Sequence, residues 1–229
     1  MKARLVLSRE VGPNTRHFEF ETAEEEPLAF EPGQFISVTQ RIGDDEITRA
    51  YSIASPPRGN RFALCANLVP DGRFSPFLFH LQAGDEIGFK GPYGAFILRR
   101  PVSDSIMVAT GTGIAPFRSM LHAKMRENQD RHFTLIFGVR HEEGLLYHDE
   151  FVSLKRDYPG FHYRPTLTRP PEGWKGLTGR VQPHALAALG ERRDVDVYIC
   201  GLREMVDELR LQLKAAGLDR KRIIYEKYD

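Results

Sequence analysis

Ile106-Met107-Val108-Ala109-Thr110-Gly111-Thr112-Gly113-Ile114-Ala115-Pro116 reads as an apolar strand that breaks into a glycine turn and then starts a helix. The glycines let backbone approach a neighbour or a phosphate closely, and Pro116 suits a helix's first turn, where its missing N–H loses no bond. Taken alone, the turn fits a tight connection as well as a pyrophosphate cradle, because Pro116 stands where the dinucleotide fingerprint has its third glycine.

Working outward, short apolar runs at 133–137, 161–165, 195–200 and 223–225 alternate with helical stretches. The clearest helix covers 203–216, with Met205, Leu209 and Leu213 on one stripe and Gly217 placed to end it. Five β units separated by helices imply a parallel, doubly wound α/β sheet. Before about residue 100 the pattern differs. Apolar residues alternate or come in bursts split by Gly, Pro and Asp, as at 18–20, 35–38, 61–69, 85–90 and 95–98. Six or so short strands without a long helix suggest an antiparallel β-barrel. A charged pair and a proline at Arg99-Arg100-Pro101 mark the boundary, giving domains 1–100 and 101–229.

Bulk properties narrow the function. With 41% hydrophobic residues in 229, the chain can fill two modest cores. A formal net charge of +1 and a sequence pI near 7.8 point to no nucleic acid, membrane surface or acidic polymer. Two cysteines, Cys65 and Cys200, are too few for an iron–sulfur cluster, and a metal site is not expected. No run approaches the ~20 apolar residues of a spanning helix, and the N-terminal apolar run is too short for a signal peptide, so a reduced, cytoplasmic protein is expected.

In an open parallel sheet, ligands collect beyond the carboxyl ends of the strands. There stand Gly111, Thr112 and Gly113, then Arg140, Thr168, Arg169 and Arg180, then Cys200 and Gly201. Arginine forks suit a 2′-phosphate, although any one of them reads equally as a solvated side chain. In the first half, Arg49-Ala50-Tyr51-Ser52-Ile53-Ala54-Ser55 sends Arg49, Tyr51 and Ile53 to one face of a strand and Ala50 and Ser52 to the other. Asp71-Gly72-Arg73-Phe74-Ser75 is a turn whose amides and hydroxyl could hold phosphate oxygens, or a plain hairpin turn.

The stretch from Arg49 to Ser55 resembles the Arg-x-Tyr-Ser-x-x-Ser flavin signature of the ferredoxin–NADP reductase family, and its order before Gly111-Thr112-Gly113 and Cys200-Gly201 matches too. The resemblance covers nearly the whole chain and extends to Gly91-Pro92-Tyr93-Gly94-Ala95-Phe96, Leu145-Leu146-Tyr147 and the terminal Tyr225-Glu226-Lys227-Tyr228-Asp229. It implies an FAD-binding barrel followed by an NADP(H)-binding domain, and an oxidoreductase that moves hydride between NADPH and FAD and single electrons to or from a ferredoxin- or flavodoxin-like carrier. On this likeness Arg49 pairs with the FAD pyrophosphate, Tyr51 and Ala50 lie along the flavin, and Ser52 bonds near its N5. Ala66, Asn67, Leu68 and Val69, with Gly72, Arg73, Phe74 and Ser75, complete the cradle.

Likewise Gly111, Thr112 and Gly113 would hold the nucleotide pyrophosphate, with Arg140, Thr168, Arg169 and Arg180 on the adenosine phosphate. Cys200, Gly201, Glu226 and Tyr228 would surround the nicotinamide, with Tyr228 covering one flavin face. Asp229 departs from relatives that end on the aromatic. The resemblance also implies a monomer, with Arg73, Arg99 and Arg100 as candidates for docking an acidic carrier. Two other readings stand beside it: an NADH-dependent reductase component of an oxygenase, or a flavin reductase, and a non-catalytic FAD-binding subunit of an electron-transfer complex.

Overall fold

The computed structural model describes residues 1–23 and 27–228, which form two units. The first comprises Met1–Ile97 with Ala115–Ala123, the second Leu98–Ile114 with the chain from Lys124 onward.

In the first unit β1 (Lys2–Gly12), β2 (Thr15–Thr22), β3 (Phe35–Ile42), β4 (Asp45–Ser52), β5 (Arg61–Asn67) and β6 (Glu86–Tyr93) form one antiparallel sheet in the order β4-β3-β6-β1-β2-β5. The chain continuing from β4 meets β5 through an Ile53–Leu64 bridge and an Ala54 N–H bond to the Ala63 carbonyl at 2.8 Å, which joins the two ends of the sheet. Inside lie Phe18, Phe20, Ile36, Val38, Phe62, Leu64 and Phe89, the Phe62 and Phe89 rings 5.2 Å apart. The expected alternation shows only in part: Tyr51 and Ile53 pack on the core and Ala50 is exposed, but Arg49 is exposed and Ser52 is buried.

Two local expectations fail. Residues 95–98 form no strand; Phe96 and Leu98 are buried from irregular backbone, with Phe96 set edge-on to Phe117 at 5.6 Å. The turn at Gly72 runs straight into α1 (Phe74–His80), a short helix that buries Phe74 and Leu78. Its aromatic-rich composition and internal Pro76 disguise it as a loop, and packing of those side chains rather than propensity holds it.

In the second unit β7 (Ser105–Thr110), β8 (Phe133–Val139), β9 (Phe161–Leu167), β10 (Leu177–Thr178), β11 (Asp196–Leu202) and β12 (Ile223–Tyr228) run parallel in the order β10-β9-β8-β7-β11-β12. Successive strands step outward from β7 to β10, then the chain returns to the other side of β7. That reversal is the topological switch point at which open parallel sheets bind ligands. Around the strands lie α3 (His148–Asp157), α4 (Val181–Leu189) and α5 (Arg203–Ala215), the last two packing Val181, Ala185, Leu189, Val206, Leu209 and Leu213 onto Ile106, Val108, Val197 and Ile199. Gly217 ends α5 with φ +84, its N–H bonding the Lys214 carbonyl at 2.9 Å, as its place in the sequence predicts. The remaining helix, α2 (Ile114–Lys124), contributes Ala115–Ala123 to the first unit, where Arg118 Nη1 donates to the Ala54 carbonyl at 2.8 Å and Ser119 Oγ to the Ser55 carbonyl at 2.6 Å.

One buried titratable group in the barrel has a consequence for stability. Burial, then the charges of Arg118 and Arg9, push His17 down to about 4 from 6.5, against the opposing pull of Glu19. Between those two values the unfolded chain binds a proton that the native imidazole refuses, so stability is full above pH 6.5 and is lost as the pH falls toward 4. The free energy of unfolding by urea should drop by on the order of 3 kcal/mol over that range. His17→Gln should flatten the slope; identical slopes in parent and variant would contradict the assignment.

Candidate functional site

β4 brings Arg49, Tyr51 and Ser52 to one end of the barrel sheet. Arg49 is exposed, its Nη1 donating to the Thr48 carbonyl at 2.8 Å. Tyr51 is half-buried and tilted against Phe74 of α1, ring centroids 6.1 Å apart, and Ser52 is buried. Burial raises the Tyr51 phenol to about 12 despite the nearby Arg49 cation, so the ring is neutral at ordinary pH. The Tyr51–Phe74 contact joins the flavin-signature strand to the turn after β5, two segments separate in sequence. A second tie runs from Arg73 to Asp45 at 2.6 Å and to the Ile42 carbonyl at 3.0 Å.

Within that turn the hydroxyl expected to serve a phosphate is committed elsewhere. Ser75 Oγ accepts from the Val69 N–H at 2.9 Å and donates to the Val69 carbonyl at 3.3 Å, so it braces the loop. Gly72 closes the same loop, its N–H bonding the Val69 carbonyl at 2.9 Å, and an added Cβ would press on Val69 at 3.0 Å. Asn67 anchors to the Thr15 hydroxyl and Leu68 N–H to the Asn14 carbonyl at 2.7 Å. Ala66 is buried, whereas Val69 presents an exposed apolar surface.

In the second unit the predicted residues collect along the carboxyl edge of the sheet. Gly111 to Gly113 form a 3-10 turn directly after β7. Gly111 has φ +54 with open space where a side chain would go, while a Cβ on Gly113 would run into the Cys200 carbonyl. The two glycines therefore do different work: Gly111 leaves room above the turn, and Gly113 lets it seat on β11. Gly201 has φ +149, and a side chain there would collide with the Thr110 hydroxyl. Thr110 Oγ1 is buried with no hydrogen-bond partner among the described residues. A buried hydroxyl left unpaired is costly, and this one lies beside Gly201 at the end of β11.

Beyond β8, Arg140 is exposed, and its carbonyl accepts from the Arg169 N–H at 2.8 Å; the Thr168 N–H bonds Val139 at 3.0 Å. Arg180 follows β10 and the Gly179 N–H bonds Leu167 at 2.8 Å. Arg140, Thr168, Arg169 and Arg180 thus stand just past three neighbouring strands. Arg180 is largely exposed and lies 3.8 Å from Glu208.

Cys200 is fully buried, and burial, then the Glu226 carboxylate, drive its thiol well above its ordinary range, against a side-chain hydrogen bond with Tyr228. It is a neutral thiol and no nucleophile. Parallel pairing sets Cys200 beside Glu226 and Leu202 beside Tyr228, so the terminal motif is an edge strand of the sheet. On this strand's other face Tyr225 lies 3.6 Å below the Arg210 guanidinium, and Lys227 pairs with Asp207 at 2.6 Å, fastening β12 to α5. Asp229 lies outside the described residues.

Two candidate docking arginines are held in ion pairs within the chain. Arg73 holds Asp45, and Arg99 reaches the buried Asp196 at 3.7 Å beside Arg222 at 3.0 Å. Sequence reading missed the unpaired Thr110, although a hydroxyl at the last position of an apolar strand before a glycine turn was a usable signal. It also missed Arg118, whose position on α2 carries no motif.

Residues 2–97 match a family model described as an oxidoreductase FAD-binding domain, and residues 107–210 one described as an oxidoreductase NAD-binding domain. The chain is 39% identical over 238 residues to ferredoxin–NADP reductase B of Sorangium cellulosum, covering 100% of this chain and 97% of that protein. It is 32% identical over 224 residues to the toluate 1,2-dioxygenase electron transfer component of Pseudomonas putida, spanning 96% of this chain but only 65% of that one. Among solved structures, a ferredoxin NADP+ reductase from Neisseria gonorrhoeae with bound FAD and NADP superposes with a TM-score of 0.84 at 27% identity, over 99% of this chain and 98% of that one.

The glycine geometry makes a comparative prediction. Gly113→Ala must displace β11 and should cost about 2–3 kcal/mol of stability by urea unfolding, whereas Gly111→Ala, strained only by its backbone, should cost about 1 kcal/mol. Equal costs would mean that Gly113 does not seat on Cys200.

Proposed function

Because this chain belongs to the ferredoxin–NADP reductase family and is an FAD-dependent oxidoreductase, we propose that it exchanges hydride between NADPH and FAD and passes single electrons to or from a ferredoxin- or flavodoxin-like carrier. The observation carrying this reading is the open glycine turn, the unpaired Thr110 hydroxyl and the Cys200–Gly201 strand end meeting at the switch point of one sheet, with Tyr228 on the strand next to β11.

The donor sets fit the two cofactors. An exposed guanidinium, a neutral half-buried aromatic and a buried hydroxyl at one strand end suit a flavin with its pyrophosphate, and an open positive-φ glycine beside an unpaired hydroxyl suits a nucleotide. Bound FAD would supply the two-electron chemistry and the release of electrons one at a time. In this reading Arg49 neutralises phosphate charge, Tyr51 orients the ring system, and the Ser52 hydroxyl holds a hydrogen bond at the reacting end. Arg140, Thr168 and Arg169 receive the 2′-phosphate. Tyr228 occupies the nicotinamide position until the nucleotide arrives, and Cys200, kept as a neutral thiol, gives that position a compact, dry wall. Glu226 places a carboxylate beside it. The two free cysteines are both buried and need no oxidising compartment, which supports a cytoplasmic location.

A second reading, an NADH-dependent reductase serving an oxygenase, draws support from the likeness to the toluate dioxygenase component. The ratio of kcat/KM for NADPH over NADH separates them. It should exceed tenfold in the parent and fall by at least tenfold in Arg169→Ala through KM for NADPH; a parent ratio near one favours the NADH reading. Ser52→Ala should retain FAD yet slow flavin reduction in stopped flow by roughly 10²-fold, the usual scale for one positioned hydrogen bond. An unchanged rate removes Ser52 from the chemistry.

A further inference from the structure

The first unit contains a pocket of about 270 Å³ whose lining shares only Ser55, the last residue of the flavin-signature stretch, with the cofactor segments described above. Its floor is Phe62 and Ala63, and around it stand Arg58, Arg61, Arg118, His17, His122 and Glu19. Among these lining residues three guanidiniums face one carboxylate.

The pocket is built rather than incidental. Arg118 is fixed by its bond to the Ala54 carbonyl, and the next residue, Ser119, holds the Ser55 carbonyl. Ser55 in turn accepts the Ala63 N–H at 3.0 Å, so both walls and the floor are tied together. Arg58 and Arg61 flank a tight turn at Gly59 that sets both side chains at the rim, and Arg61 is part-neutralised by Glu21 at 3.0 Å. The groups facing His17 are Arg9 from β1, Glu19 from β2 and Arg118 from α2; burial first, then the two guanidiniums, keep its imidazole neutral. Glu19 lies 3.3 Å from the His17 Nε2.

We propose that this pocket is a binding site for a small oxyanion, a phosphate- or carboxylate-bearing metabolite held by Arg58 and Arg118 with His17 at its base. Guanidinium forks match both oxyanions bidentately, and the volume lies at the small end of ligand pockets, suiting a compact molecule between phosphate and citrate in size. A bound anion favours the imidazolium, so His17 gains basicity on binding and affinity increases as the pH falls.

The test uses the full-length, FAD-loaded protein labelled with ¹⁵N-histidine, with inorganic phosphate or citrate titrated against sodium chloride at constant ionic strength. Expected are saturable shifts of the His17 and His122 ring signals that chloride does not reproduce, a His17 titration displaced upward from about 4, and at least tenfold weaker binding in Arg58→Gln. Tighter binding of citrate assigns the site to carboxylates, tighter binding of phosphate to phosphate esters. Arg118→Gln should weaken binding further, but it also releases Ala54; Arg58→Gln, at the exposed rim, decides the matter if its melting curve matches the parent's. Shifts equal in chloride, or parent affinity in Arg58→Gln, overturn the proposal.

Discussion

The meeting of the β7 turn with the end of β11 is the constraint on which the second unit's candidate site depends. The Cys200 carbonyl occupies the space a Gly113 side chain would need, and Thr110 occupies the space beside Gly201. Two strands that are neighbours in a parallel sheet are held about 4.8 Å apart by their hydrogen bonds, so a turn crossing from one toward the other has room for backbone only. This close approach buries Cys200, keeps its thiol protonated and leaves the Thr110 hydroxyl with nothing of the described protein to bond. A site made this way is preorganised by main chain, which cannot relax as side chains do.

Much of this was legible from residue order. The change from alternating bursts to strand–helix alternation points to both sheets, and strand-end logic places Gly111, Arg140, Arg169 and Cys200 on one edge. Three things were hidden for physical reasons. The helix at Phe74–His80 is held by tertiary packing of its aromatics, against a proline and a turn-like start. The apolar run at 95–98 has strand composition but forms no strand, and Phe96 and Leu98 are buried from irregular backbone. The work of a hydroxyl such as Ser75 depends on which amide folding brings to it, and no spacing rule encodes that.

Charge is similarly a matter of placement. The near-zero balance of the chain conceals arginines with opposite duties. Some hold its own structure together, as Arg99 and Arg222 do on the buried Asp196. Others, like Arg140 and Arg169, stay exposed at strand ends. Exposed ion pairs contribute little to stability, whereas taking a cation away from the buried Asp196 would leave an uncompensated charge inside the protein.

The membership of Ala115–Ala123 in the first unit bears on how this molecule can be taken apart. A gene fragment stopped near residue 100 encodes a barrel without the helix that binds the Ala54 and Ser55 carbonyls, and leaves those acceptors and the apolar face of Phe96 to solvent. No single scission yields two intact pieces. Chimeras that exchange nucleotide specificity with a relative therefore need two junctions, one on each side of that helix, so that the barrel keeps its own copy while the remainder is replaced.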